Sequence, residues 1–138
     1  VAFCYPWTGR PGAPNPPRWD DIPGAHGSTP EAEGFRNLID GFQQLGAQVF
    51  GISTQPTAYQ QELVERLQLP FEILSDEHFA LQQALRLPTF ATGDATYLKR
   101  LTFGLIEGRI ERVYYPIPLP AAHAREVCAW LGMMDRNH

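Results

Sequence analysis

Gly24-Ala25-His26-Gly27-Ser28-Thr29-Pro30-Glu31-Ala32-Glu33-Gly34-Phe35 joins a long proline-rich loop to a helical pattern. Thr29-Pro30 reads as an N-cap and first helical residue, because proline's fixed φ suits that place and its missing N–H is not needed there. Ser28 and Glu31 also have the spacing of a capping box, which would move the start one residue earlier. Phe35, Leu38, Ile39, Phe42 and Leu45 then recur at helical spacing, so one helix is expected over 29–45. Gly46 stands where a helix end takes a left-handed residue. Residues 28–30 therefore occupy a helix N-terminus, where free N–H groups and the dipole favour negative charge. Such a position suits an anion or a nucleophile of low pKa.

Upstream, residues 1–5 read as a short apolar strand that Pro6 stops. Residues 9–27 form a loop with prolines at 11, 14, 16, 17 and 23 and glycines at 9, 12, 24 and 27. The prolines make it stiff, and Trp19 and Ile22 are its expected anchors. A loop of this length has either a functional role or the status of a surface insertion. Val1 already stands in mid-strand, with no charged leader or cleavage site before it. The chain is thus expected to begin inside a domain, lacking an N-terminal piece.

Downstream, Ala47–Ser53 reads as a strand, and Pro56 precedes a helix whose Tyr59, Leu63, Val64 and Leu67 share a face. Phe71–Leu74 is a short strand, and Asp76 caps a helix carrying Phe79, Leu81, Ala84 and Leu85. Residues 87–96 read as loop or irregular strand. Tyr97–Ile106 and Arg109–Tyr115 are strands joined by Glu107-Gly108, a two-residue hairpin turn. Pro118 and Pro120 introduce a last helix with Val127, Trp130 and Leu131 inward. The order β-α-β-α-β-α-β-β-α implies parallel βαβ pairing with an antiparallel edge. The expectation is a single α/β domain over 1–138, three layers around a mixed central sheet.

The 138 residues suffice for one core, and 43% hydrophobic against 19% charged residues is a globular composition. A net charge of −4, with Lys99-Arg100 as the only basic cluster, argues against a nucleic-acid partner. No apolar run is long enough to span a membrane. Cys4 and Cys128 are sparse and unpatterned, which points to a reducing, cytoplasmic setting and to two buried thiols. There is no Cys-x-x-Cys, no metal-ligand spacing among His26, His78, His123 and His138, and no phosphate-binding glycine loop. His26 lies near Ser28, but Pro30 fills the last place of a Gly-x-Ser-x-Gly elbow, which removes a hydrolase reading.

Phe3-Cys4-Tyr5-Pro6, Gly27-Ser28-Thr29-Pro30-Glu31-Ala32-Glu33, Val49-Phe50-Gly51-Ile52-Ser53, Leu74-Ser75-Asp76, Arg100-Leu101-Thr102-Phe103 and Gly108-Arg109-Ile110 together resemble a peroxiredoxin. The likeness is to the bacterioferritin-comigratory, or peroxiredoxin Q, group of the AhpC/TSA redoxins, and it runs over essentially the whole chain. It implies a thioredoxin-like fold and reduction of hydrogen peroxide or alkyl hydroperoxides. It implies no metal or organic cofactor. Thioredoxin, glutaredoxin or a small thiol is the implied reductant, and a homodimer is one assembly it allows.

The resemblance puts the family's peroxidatic cysteine at Ser28 and a resolving cysteine at Glu33, so neither thiol is present. Peroxide reduction needs a thiolate that becomes a sulfenic acid, and a serine hydroxyl does not make that attack usefully. Ser28 is then a replacement of the reactive cysteine, a natural loss, or simply a helix cap. The resemblance makes Arg100 the arginine that faces nucleophile and peroxide, and Pro6 the proline that shields them. Thr8 is the candidate peroxide-contacting threonine, although the family places that residue where Ala25 stands here. Cys4 is a core residue or an unusual resolving thiol. The competing function is a non-catalytic thioredoxin-fold module that binds through the helix-28 pocket or the proline-rich loop.

Overall fold

The computed structural model describes residues 1–136. Strand β1 (Ala2–Cys4) is followed, after the long loop, by helices α1 (Ser28–Asn37) and α2 (Ile39–Gln44). Then come β2 (Phe50–Ser53), α3 (Thr57–Leu67), β3 (Glu72–Ser75) and α4 (Ala80–Leu85). The chain ends with β4 (Thr89–Thr92), β5 (Ala95–Leu98), β6 (Leu101–Ile106), β7 (Arg109–Tyr114) and α5 (Pro120–Arg136). Among the described residues, five strands form one sheet in the order β3-β2-β1-β6-β7. β1, β2 and β3 run parallel, with Phe3 opposite Gly51 and Gly51 opposite Ile73. β6 runs antiparallel to β1, with Phe3 opposite Thr102, and β7 antiparallel to β6. The mixed sheet is the expected one.

β1 sits at the centre, so its alternation divides the core. Phe3 and Tyr5 join Phe35, Phe42, Leu63, Tyr114 and Val127 in a cluster drawing on α1, α2, α3 and α5. Ala2 and Cys4 join Ile52, Leu87, Leu98, Leu101 and Phe103 on the opposite face, with Leu81 of α4 against them. Phe3 stacks on Phe35 with ring centroids 4.6 Å apart, which fixes α1 over the middle of the sheet. Gly104 of β6 lies under Trp130 of α5, where any Cβ would collide with the indole. Glu107 (φ 52) and Gly108 (φ 78) make the β6–β7 turn as the dipeptide predicts. The two Asp76 oxygens accept from the Leu81 and Gln82 N–H groups in the first turn of α4 at 2.9 Å, although its N-cap is Phe79.

The structure corrects the sequence reading at several elements, and the expected Ala47–Ser53 strand begins only at Phe50. The expected single helix over 29–45 breaks at Leu38 (φ −107, ψ 12). Asn37 and Gly41, both weak helix formers, bracket the break. Residues 89–98 form a separate β4–β5 hairpin, with Thr92 opposite Ala95, so the expected Tyr97–Ile106 strand is interrupted at Lys99-Arg100. Its apolar side chains Phe90 and Tyr97 pack on Trp19 of the loop, with centroids 5.6 and 5.2 Å away, and so carry no core periodicity. Finally, the α1 N-cap is Gly27 (φ 112), with no side-chain cap, so neither Ser28 nor Thr29 caps the helix.

The 9–27 loop is anchored through Trp19, as expected, which is only 3% exposed. Arg66 Nη2 donates to the Gly9 carbonyl at 2.8 Å, and Thr92 Oγ1 donates to the Pro17 carbonyl. The loop is thereby laid against α3 and the β4–β5 hairpin.

Candidate active site

Ser28 is the first residue of α1 and is 4% exposed. Arg100 stands in the two-residue link between β5 and β6, also nearly sealed from solvent. Its Nη2 donates to Ser28 Oγ at 3.0 Å and lies 3.2, 3.3 and 3.1 Å from the carbonyl oxygens of Gly24, Ala25 and His26. Its Nη1 donates to Glu31 Oε1 at 3.0 Å. One guanidinium thus ties the end of the long loop to the first turn of α1. A fixed cation and the helix N-terminus converge on the Ser28 oxygen, an arrangement that stabilises an anion there.

Glu31 is fully buried, and its Oε2 has no partner. Burial pushes its carboxyl up to about 7, against the pull of Arg100. When Glu31 holds its proton, no carboxylate charge stands against the guanidinium that faces Ser28. The capping-box role suggested for Glu31 is therefore wrong: the side chain turns inward to a residue 69 positions away.

Ser28 opens on a cavity of about 290 Å³ lined by Trp7, Thr8, Trp19, Ala25, His26 and Pro30, among others. Thr8 thus shares the cavity wall with Ser28 and Ala25 despite the long insertion between them. A buried amide holds it there. Thr8 N–H donates to Gln55 Oε1 at 3.2 Å, and Gln55 Nε2 donates to the Thr8 carbonyl at 3.1 Å. The Thr8 hydroxyl reaches the same Oε1 at 3.4 Å. Gln60 extends this network, donating to Ser53 Oγ and accepting from the Tyr5 hydroxyl at 2.7 Å.

Pro6 is fully buried and precedes the cavity wall rather than forming part of it. Glu33 lies outside the cavity, half-exposed, and pairs with Arg36 at 3.7 Å. His26 lines the cavity, but its Nε2 is engaged by Asp20 at 2.6 Å on the exposed loop. Cys4 is packed between sheet and hairpin, and burial pushes its thiol up to about 12, with Glu31 and Asp76 adding to the shift. That is a core thiol. Cys128 is partly buried on α5, facing Gly41.

Sequence reasoning brought Ser28, Thr8 and Arg100 to notice and missed Trp7, Gln55, Gln60 and the inward turn of Glu31. Gln60 carried a signal, since it stands in the apolar stripe with Leu63, Val64 and Leu67 and is 1% exposed. Gln55 carried none, because its partner is 47 residues away.

Residues 23–106 match the profile of the AhpC/TSA family. The chain belongs to the AhpC/TSA family. This family member is 32% identical over 108 residues to the chloroplastic peroxiredoxin Q of Oryza sativa subsp. japonica, covering 78% of this chain and 48% of that protein. It is 28% identical over 113 residues to the chloroplastic peroxiredoxin Q of Gentiana triflora, covering 81% of this chain and 50% of the relative. The chain therefore spans about half the length of the curated relatives it matches. Its fold superposes on peroxidoxin BcpB of Mycobacterium tuberculosis with a TM-score of 0.77 at 24% identity, over 96% of this chain and 77% of that one. A peroxiredoxin Q of Xanthomonas campestris gives 0.76 at 22% identity, over 97% and 77%. The peroxiredoxin Q likeness and the thioredoxin-like α/β fold expected from the sequence both stand.

Proposed function

We propose that this chain carries the site of a thiol-dependent peroxidase for hydrogen peroxide or alkyl hydroperoxides, inactive while the reacting atom's place is held by Ser28. The observation that carries the reading is the donation from Arg100 Nη2 to Ser28 Oγ at 3.0 Å, at the first residue of α1. A thiolate in that place would be stabilised by the guanidinium and the helix N-terminus. It would attack one peroxide oxygen. The O–O bond breaks, the sulfur is oxidised to a sulfenic acid, and the other oxygen leaves as water or an alcohol after taking a proton. Arg100 would stabilise the charge developing on the departing oxygen, Thr8 would orient the peroxide, and buried Pro6 would back the wall.

With glutamate at position 33 and Cys4 sealed in the core, neither of those positions would resolve the sulfenic acid. Thioredoxin, glutaredoxin or a small thiol would return the electrons. A cytoplasmic, reducing location fits the sparse cysteines, and a homodimer is compatible with the reading. Installing Ser28→Cys and following peroxide loss with a dithiol reductant tests it. Turnover should appear, and adding Arg100→Ala should lower it at least about a hundredfold, as removal of an oxyanion donor does. Equal turnover in the double variant would remove Arg100 from the mechanism. A Ser28→Cys protein that folds but consumes no peroxide would favour the second reading, a binding module, which Ser28 itself supports.

A further inference from the structure

Arg100 borders a second cavity, of about 220 Å³, that shares no lining residue with the one at Ser28. Gly24 of the long loop, Phe90 of the hairpin, Lys99, Tyr115 and Ile117 form its other walls. Its charge is one-sided. Lys99 is exposed and has no ion pair among the described residues, and no acidic side chain lines the space. The Nε of Arg100, buried, is the one nitrogen of that guanidinium without an acceptor. A buried donor left without a partner is uncommon in folded proteins and calls for a ligand or a water. The remaining wall is mostly apolar, made by Pro23, Phe90, Tyr115, Pro116 and Ile117.

We propose that this cavity binds a small free organic carboxylate with a compact apolar body, an aryl or short acyl acid. The ammonium of Lys99 and the positive charge of Arg100, both on the cavity wall, suit a carboxylate. A phosphate would set further charge against Phe90 and Ile117. The volume fits one ring or a short chain and is too small for a nucleotide. The inference stands apart from the peroxidase reading, because it requires no reaction at position 28.

The test is a titration of the unmodified chain with phenylacetate, followed by calorimetry and by backbone amide shifts in NMR. Saturable one-site binding in the millimolar range or tighter is expected, with the shifts centred on Gly24, Phe90 and Lys99. Phenylacetamide, matched in shape and uncharged, should bind about tenfold more weakly or less, as should phenylacetate to Lys99→Met. Lys99 is exposed, so that variant should keep the native circular dichroism. Equal affinity for the amide, undiminished binding to Lys99→Met, absence of saturation, or shifts centred on Thr8 and Ser28 would each overturn the proposal.

Discussion

Glu31→Gln separates two physical descriptions of the buried pair at the start of α1. In one, Arg100 holds the carboxylate ionised and pulls its pKa down. In the other, burial wins and the carboxyl prefers its proton. The geometry favours the second: Glu31 has no exposed surface, one oxygen lies 3.0 Å from Arg100, and the other oxygen has no partner. Burial pushes the group from an ordinary 4.5 up to about 7, with Arg100 opposing.

A folded-state pKa above the unfolded one contributes stability that is complete below about pH 4.5 and is lost as pH rises through about 7. At about 1.4 kcal/mol per unit of separation, the loss comes to roughly 3 kcal/mol. Glutamine does not titrate. The stability of Glu31→Gln minus that of the unmodified chain should therefore climb by roughly 3 kcal/mol between about pH 4.5 and pH 8. Urea unfolding of both proteins at the two pH values measures it, and groups common to both cancel in the difference. A flat difference, or one that falls with rising pH, would refute the reasoning and show that the guanidinium dominates.

His123 should show the opposite limb. Burial, with a smaller push from the Arg100 charge, lowers it from 6.5 to about 4, and its Nε2 lies 2.8 Å from Thr102 Oγ1. Its stabilising contribution is complete above about pH 6.5 and is lost as pH falls through about 4, so His123→Gln should flatten the acid side of the stability profile. Gln55→Ala leaves the buried Thr8 N–H and carbonyl unpaired and should cost about 1–3 kcal/mol in urea unfolding. In the Ser28→Cys background the same change should lower turnover, and unchanged turnover would show that Thr8 needs no clamp. Gly104→Ala drives a methyl into Trp130 and should cost about 1–3 kcal/mol, read as a lower thermal midpoint.

Much of the architecture was legible because it rests on local rules. The apolar run of residues 1–5 that Pro6 stops, the αL demands of Glu107-Gly108 and Gly46, and Asp76 as an acceptor at the start of a helix are short-range chemistry, and the structure matches them. The β4–β5 hairpin was not legible because Phe90 and Tyr97 pack on a loop tryptophan far away in sequence, so no core-facing period marks them. The break at Leu38 was hidden for a related reason. Phe35 and Phe42 both reach the core, and the apolar spacing alone reads as one unbroken stripe.

At the site the division follows sequence distance. The sequence by itself determined that a helix begins within a residue or two of Ser28, that a stiff loop precedes it, and that one arginine follows a lysine in a late strand. Those facts depend on backbone preferences of neighbouring residues. Only the tertiary structure decided that Arg100 grips Ser28 and Glu31, that Gln55 holds Thr8 in the same cavity wall, and that Glu33 stays outside it. Each of those contacts joins side chains on elements far apart in the chain. Their strength comes from a water-excluded interior that exists only once the sheet has closed under α1.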